Sequence, residues 1–190
     1  MSRVRSRDVG RANHILVSSR IRIERGSEQS PGFDVDAIAN ALHVRLPDHD
    51  LDLFGLRIPA YKASTDVKRM WDWVNGVQTR YRNKRAILLG DLNVAPEGRA
   101  RCRAARDGFA ALVRDWRHVA PTEGASYFAR RQGKVFPQSI DHLFITGELA
   151  TNAPPRYVYR TESRRLVNDG ASYDRNGFYR TTRRYLQKWV

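Results

Sequence analysis

Two short stretches of this sequence carry polar residues at a spacing that can do chemistry. The first is ILLGDLNVAP, residues 87–96. Asp91 and Asn93 follow a short apolar run, and side chains two apart on a strand point to the same side. An Asp can orient an attacking water or accept its proton, and an Asn can donate to a phosphate oxygen or hold a metal. Gly90 before them lets the backbone come close to a neighbour. The plainer alternative is a strand-ending turn, since Gly-Asp and Leu-Asn are good turn formers. The second stretch is SIDHLFIT, residues 139–146. Asp141 opens an apolar strand, where a lone acid is costly unless exposed or paired, and His142 points the other way. Two carboxylates delivered by separate strand ends suit a divalent-metal phosphodiesterase, in which the metal neutralises phosphate and a carboxylate positions water. The alternative is an edge Asp that caps a turn.

Other candidates are weaker. His14, His43, His49 and His118 show no metal-ligand spacing, and His49 reads as a solvated turn residue. Cys102 lies among arginines on a helix and reads as passive; as the single cysteine it excludes an internal disulfide and a Cys-rich zinc site. Trp71 and Trp73 can stack on bases, although a core position is the commoner fate of Trp71.

These residues need a scaffold, and the pattern supplies one. Residues 14–23 read as a strand or hairpin arm, 26–31 as a turn, and 38–46 and 51–58 as two strands joined by the turn PDHD. Residues 66–82 form an amphipathic helix with Val67, Met70, Trp71, Val74, Val77 and Tyr81 inward. Residues 86–89, AILL, make an unbroken apolar strand covered on both faces. Residues 98–116 form a second helix, with Phe109, Leu112, Val113 and Trp116 inward. Residues 140–146 are a further strand. From residue 154 to 190 the chain is basic and aromatic with weak periodicity.

The chain has 190 residues, 41% of them hydrophobic and 28% charged, enough for a packed core. Its 34 Lys and Arg, of which 29 are Arg, face 20 Asp and Glu, giving a net charge of +14. Such a field attracts polyanions, and the Arg fork matches phosphate oxygens. DNA or RNA is therefore the expected partner. No stretch reaches the ~20 apolar residues of a membrane span. The basic start MSRVRSRDVGR has no apolar run behind it and does not read as a secretory signal, so a cytoplasmic location is expected.

Together the two stretches resemble the endonuclease/exonuclease/phosphatase superfamily. Gly90, Asp91, Leu92, Asn93 and Pro96 match its GD[FLM]N-x-x-P signature, and Ser139, Asp141, His142 and Leu143 match its later [RS]-x-D-[HYR]-[IL] strand. Ser126-Tyr127 matches the Thr-Tyr-like pair before that strand, and LDLFGLRIPAY resembles the strand that normally ends Asn-x-His-x-Pro. The likeness runs from about Asn13 to about Thr146. It implies an α/β fold, a sandwich of two mostly antiparallel sheets flanked by helices, forming a single domain over residues 1–190. It also implies that Asp91 orients or deprotonates water, that Asn93 contacts the scissile phosphate, and that Asp141 orients a catalytic histidine. The implied cofactor is Mg²⁺, or Mn²⁺ in its place, with Asp91, Asn93 and Asp174 as its ligands.

The departures are specific. The family opens with a strand bearing a metal-binding Asn and another ending in Gln-Glu, whose Glu is the principal metal ligand. This sequence matches the family only from its third strand, so the fold is expected to be N-terminally shortened. The family histidine before the Pro is Arg57 here. The closing Ser-Asp-His has Ser172-Tyr173-Asp174-Arg175 as its nearest match, and no histidine follows His142. Arg57 and Arg175 can bind phosphate but cannot shuttle a proton. The expected function is a metal-dependent phosphodiesterase-like hydrolase acting on nucleic acid. The alternative is an inactive nucleic-acid-binding remnant of the same fold; the missing Glu and His argue for it, and the retained Asp91, Asn93 and Asp141 argue against it.

Overall fold

The structure is a computed structural model. It describes the backbone of residues 2–5, 16–31, 40–59, 65–100, 102–119, 121–123, 127–131, 134–149 and 157–158. Asp174 and Arg175 lie outside the described residues, as does the 154–190 segment except Tyr157 and Val158.

Twelve strands and two helices are described. The strands are β1 (Ser2–Arg5), β2 (Leu16–Ser19), β3 (Glu24–Arg25), β4 (Asn40–Leu46), β5 (Leu51–Arg57), β6 (Ala86–Asp91), β7 (Arg117–Val119), β8 (Pro121–Glu123), β9 (Tyr127–Arg131), β10 (Lys134–Gln138), β11 (Asp141–Ile145) and β12 (Tyr157–Val158); the helices are α1 (Thr65–Tyr81) and α2 (Arg103–Asp115). A six-stranded sheet in the order β3-β4-β5-β6-β11-β7 is the centre, with two-stranded pairs β1-β2, β9-β10 and β8-β12 besides. Only β5 and β6 run parallel in the central sheet, joined through α1. A parallel pair needs a crossover of that length. The mixed α/β class is as expected.

The strand period of two divides the sheet into two faces. Phe54, Leu56, Leu88 and Phe144 point to the helical face, where they join Val67, Met70, Trp71, Val74, Val77 and Tyr81 of α1 and Ala105, Phe109, Leu112 and Trp116 of α2 in one core. The other face carries a smaller cluster of Ile23, Leu42, Val44 and Leu46, with Val17, Leu51 and Leu53 against it. Farther along that face Leu89 is exposed. The two helices meet at Gly108, where an added Cβ would lie 2.4 Å from the Trp71 ring.

Three expectations are corrected. Within residues 16–23 the expected strand or hairpin arm is β2, paired antiparallel with β1, and it ends at Ser19, whose hydroxyl accepts the Ile21 N–H at 3.1 Å and bends the chain. The second helix starts at Arg103 rather than residue 98. The intervening segment is a turn closed by Gly98 N–H to Ala95 O and Ala95 N–H to Arg99 O, both 2.8 Å. Val113 is exposed, one residue round the helix from the buried Leu112. The PDHD turn is a 3₁₀ turn, Pro47–His49, with His49 exposed as read.

Candidate active site

The register places four polar residues in one row at one end of the sheet. Asn40 pairs with Arg57, Arg57 with Asp91, and Asp91 with Asp141. Registered neighbours share a face, here the one opposite the helices. The Leu92 N–H donates to Ile140 O at 2.9 Å. That bond makes Asp91 and Asp141 a non-hydrogen-bonded antiparallel pair, the arrangement that brings side chains closest. The two carboxylates inferred separately from sequence thus face each other directly. Arg57, which the sequence reading assigned to phosphate, stands on the next strand with its Nε 3.9 Å from Asp91 Oδ2.

Local backbone geometry fixes this arrangement. Gly90 has φ 140°, and a Cβ there would lie 2.0 Å from the Leu56 carbonyl oxygen. Only glycine tolerates both, so it sets the close approach of β5 and β6 just before Asp91. The Asp91 Oδ1 then accepts the Asn93 backbone N–H at 3.1 Å, while Asn93 adopts φ 51°. A left-handed Asn after an Asp that bonds two residues on is ordinary turn chemistry. The reading of 91–93 as a strand-ending turn is therefore correct. The Asn93 side-chain amide donates to Ile58 O at 2.6 Å, and the Ile58 N–H donates to Asp91 O at 2.8 Å. Leu92 and Val94 are buried and pin the turn from beneath.

A second set of residues holds the turn, and the sequence reading missed it. Buried His142 donates from Nε2 to Val94 O at 2.8 Å. Its Nδ1 is then an acceptor, which takes the His118 Nε2–H at 3.0 Å. Both rings are neutral in this chain of bonds. Burial lowers the His142 pKa, and burial together with neighbouring His142 lowers that of His118 to about 4. The only sequence signal was alternation: His142 had to point away from Asp141.

Electrostatics set the state of Asp91. Burial first, and the facing Asp141 second, raise its pKa to about 6, against the opposing pull of the Asn93 N–H and Arg57. A carboxylate so placed is ionised at neutral pH yet basic enough to take a proton from water.

The same donors were tested against the divalent ion the resemblance implies. Mg²⁺ wants octahedral oxygens and usually keeps waters beside one or two carboxylates and substrate phosphate. Among the described residues, no group of three or more His, Cys, Asp or Glu side chains is placed to hold a metal. Asp91 Oδ1 is engaged by Asn93, and Oδ2 looks toward a permanently charged guanidinium. Within the described residues the site thus offers the two carboxylates Asp91 and Asp141, and Asp174, the third ligand the resemblance implies, lies outside them.

An open cavity of about 760 Å³ lies elsewhere, lined by His43, Arg45, Asp52, Tyr81 and Lys84 among others. Asp52 and Arg57 are near opposite ends of β5, so this cavity is not the carboxylate site. Its charges are largely satisfied internally. Asp52 accepts from His43 Nε2 at 2.6 Å and pairs with Arg45, which also pairs with Asp50.

The Endonuclease/Exonuclease/phosphatase family profile matches residues 8–164. The chain belongs to this family. Among solved structures it is similar to the endonuclease domain of TRAS1, a telomere-specific non-LTR retrotransposon, at 12% identity, covering 77% of this chain and 68% of that one, with a TM-score of 0.49. It is also similar to the mannosyl-6-phosphatase Bt3783 of Bacteroides thetaiotaomicron VPI-5482, at 18% identity over 57% of this chain and 42% of that one, TM-score 0.33. A third, an endonuclease/exonuclease/phosphatase family protein of Bacteroides thetaiotaomicron, shares 18% identity over 70% of this chain and 54% of that one, TM-score 0.41. The chain thus spans about half the length of the two Bacteroides proteins. No curated protein matches.

Proposed function

We propose that this chain is a phosphodiester-directed hydrolase whose substrate is nucleic acid. The observation that carries the reading is the facing pair Asp91 and Asp141, flanked by Arg57 and followed by Asn93, at one end of the central sheet. In this reading a water beside Asp91 gives its proton to the carboxylate as its oxygen bonds to phosphorus. The phosphorus–oxygen bond to the leaving strand breaks, and the leaving oxygen takes a proton from solvent. Arg57 offsets charge on the non-bridging oxygens. The second hydrogen of the Asn93 amide, the one not given to Ile58 O, reaches the phosphate. The net charge of +14 supports nucleic acid over a small neutral phosphoester.

The test is cleavage of end-labelled single- and double-stranded DNA and of RNA, with and without added Mg²⁺ or Mn²⁺, alongside the Asp91→Asn variant. Cleavage by the wild type and not by the variant is expected. A second reading, a nucleic-acid-binding protein without hydrolytic activity, is favoured by one observation: Arg57, which cannot relay a proton, stands beside Asp91. Binding of the same oligonucleotides without cleavage under any condition would establish it.

A further inference from the structure

The turn that carries Asp91 and Asn93 is tied to its neighbours by three bonds. The Leu92 N–H donates to Ile140 O at 2.9 Å, the Asn93 side-chain amide to Ile58 O at 2.6 Å, and His142 Nε2 to Val94 O at 2.8 Å. Asn93 sits at φ 51°, a left-handed conformation that persists only where the surroundings over-determine it. The bond to Val94 is the downstream hold, and both of its residues are buried. It also sets a rule for protons. A carbonyl oxygen only accepts, so His142 Nε2 must carry the hydrogen, and in a neutral ring Nδ1 is then an acceptor. Burial lowers the pKa of both His142 and His118, so both rings are neutral near pH 7. His118 Nε2 stands 3.0 Å from His142 Nδ1 and must donate to it. His118 comes from the edge strand β7, where it is registered beside Phe144 and stacked on it with ring centroids 4.7 Å apart. Phe109 of α2 lies T-shaped against both imidazoles, at 5.0 Å from His142 and 5.8 Å from His118, and closes the pair from the helical side.

We infer that His118 and His142 are positioning residues for the Asp91 site: His118 fixes the tautomer and ring orientation of His142, and His142 fixes the turn from which Asp91 and Asn93 act. In an imidazole, the nitrogen that bears the proton is set by the bond the other nitrogen makes. With His118 in place, only the Nε2–H tautomer of His142 satisfies both neighbours, and Val94 O has its donor. Without a donor at Nδ1 the ring is free to move its hydrogen or to turn over, and the buried Val94 O is left unsatisfied. The turn then relaxes where it is strained, at Asn93, whose N–H is bound to Asp91 Oδ1 at 3.1 Å. One strand serves both halves of the site, because β11 presents Asp141 on one face and His142 on the other. The inference rests on the proposed reading of Asp91 as the group that takes a proton from water, but its structural arm is read without substrate.

The test uses the full chain, labelled with ¹⁵N, as wild type, His118→Phe and His118→Gln. Phenylalanine keeps a ring stacked on Phe144 and removes the donor, whereas glutamine restores an N–H. The nitrogen shifts of the His142 ring and the Asn93 backbone amide resonance are read by NMR at neutral pH, and kcat and KM are measured for cleavage of an end-labelled oligonucleotide. The wild type is expected to show a single His142 tautomer with its hydrogen on Nε2. In His118→Phe the His142 shifts should move toward a mixture of tautomers and the Asn93 amide should shift with them. Its kcat should fall about 10- to 100-fold, the scale on which small misplacements act, with KM unchanged within about twofold. His118→Gln should recover all of these. Thermal melts confirm that each variant is folded. A wild-type His142 protonated on Nδ1 would overturn the inference without any variant. So would a His142 tautomer or an Asn93 amide that His118→Phe leaves unchanged, or a kcat that does not fall or that His118→Gln fails to recover. A wild type that cleaves nothing, with the tautomer and the amide moving as expected, would instead count against the hydrolase reading while upholding the hold of His118 on the turn.

Discussion

At the scale of single residues, Asp91 carries the most weight. Its side chain is 25% exposed, and the isosteric amide keeps its shape. Asp91→Asn is therefore expected to leave the fold intact while lowering any phosphodiester cleavage by about 10²–10⁴, the usual cost of losing a general base. Rate measurements at saturating oligonucleotide check this, and an unchanged turnover would remove Asp91 from the chemistry. The same variant removes a like charge facing Asp141, so its melting temperature at neutral pH should equal or exceed that of wild type. Gly90 is the structural counterpart. Gly90→Ala forces a Cβ onto the Leu56 carbonyl at φ 140°. We expect a loss of more than about 3 kcal/mol, read as a large drop in denaturation midpoint or as insoluble protein.

At the scale of elements, the turn after β6 depends on histidines beneath it. His118 and His142 are neutral and their pKa values are lowered, to about 4 for His118. In the unfolded chain they titrate near the ordinary value of about 6.5. Between pH 6.5 and 4 the unfolded state therefore takes up protons that the native state refuses, and stability falls as the pH drops through that window. Thermal melts across this range should show the decline, and it should flatten in His118→Phe, since His118 stacks on Phe144 and its ring shape is kept. The same pH slope in the variant would assign the loss to other groups. The helix pair tests packing. A side chain at Gly108 meets the Trp71 ring at 2.4 Å, so Gly108→Ala should cost about 1–3 kcal/mol, as overpacking of a tight interface does.

At the scale of the whole molecule, charge dominates. With +14 on 190 residues, nucleic-acid affinity should fall steeply with salt. Each phosphate neutralised contributes about −0.9 to the log–log slope on duplex DNA. A slope of several units, with little dependence on sequence, is expected from filter binding between low and moderate salt. A flat response would remove nucleic acid as the partner.

The sequence by itself determined the family, the α/β class and the identity of the facing acids. Those follow from local rules: an apolar run ending in Gly-Asp, a 3–4 spacing from Val67 to Tyr81, and alternation through 141–145. The interior helix positions of α1 were legible because burial and helical period are the same signal. The start of α2 was placed too early because turn hydrogen bonds at 95–99 override periodicity at a helix end, and Val113 was misplaced because it borders the buried face that Leu112 occupies. Only the tertiary structure decided that Arg57, Asp91 and Asp141 stand in one row, since residues 34 and 50 positions apart meet solely through strand register. It alone revealed the His118–His142–Val94 chain, because a hydrogen bond spanning 48 residues leaves no mark on local pattern. And it placed Arg57, the residue at the family histidine's position, on the strand beside Asp91, because parallel register between β5 and β6 is set by the crossover and not by local pattern.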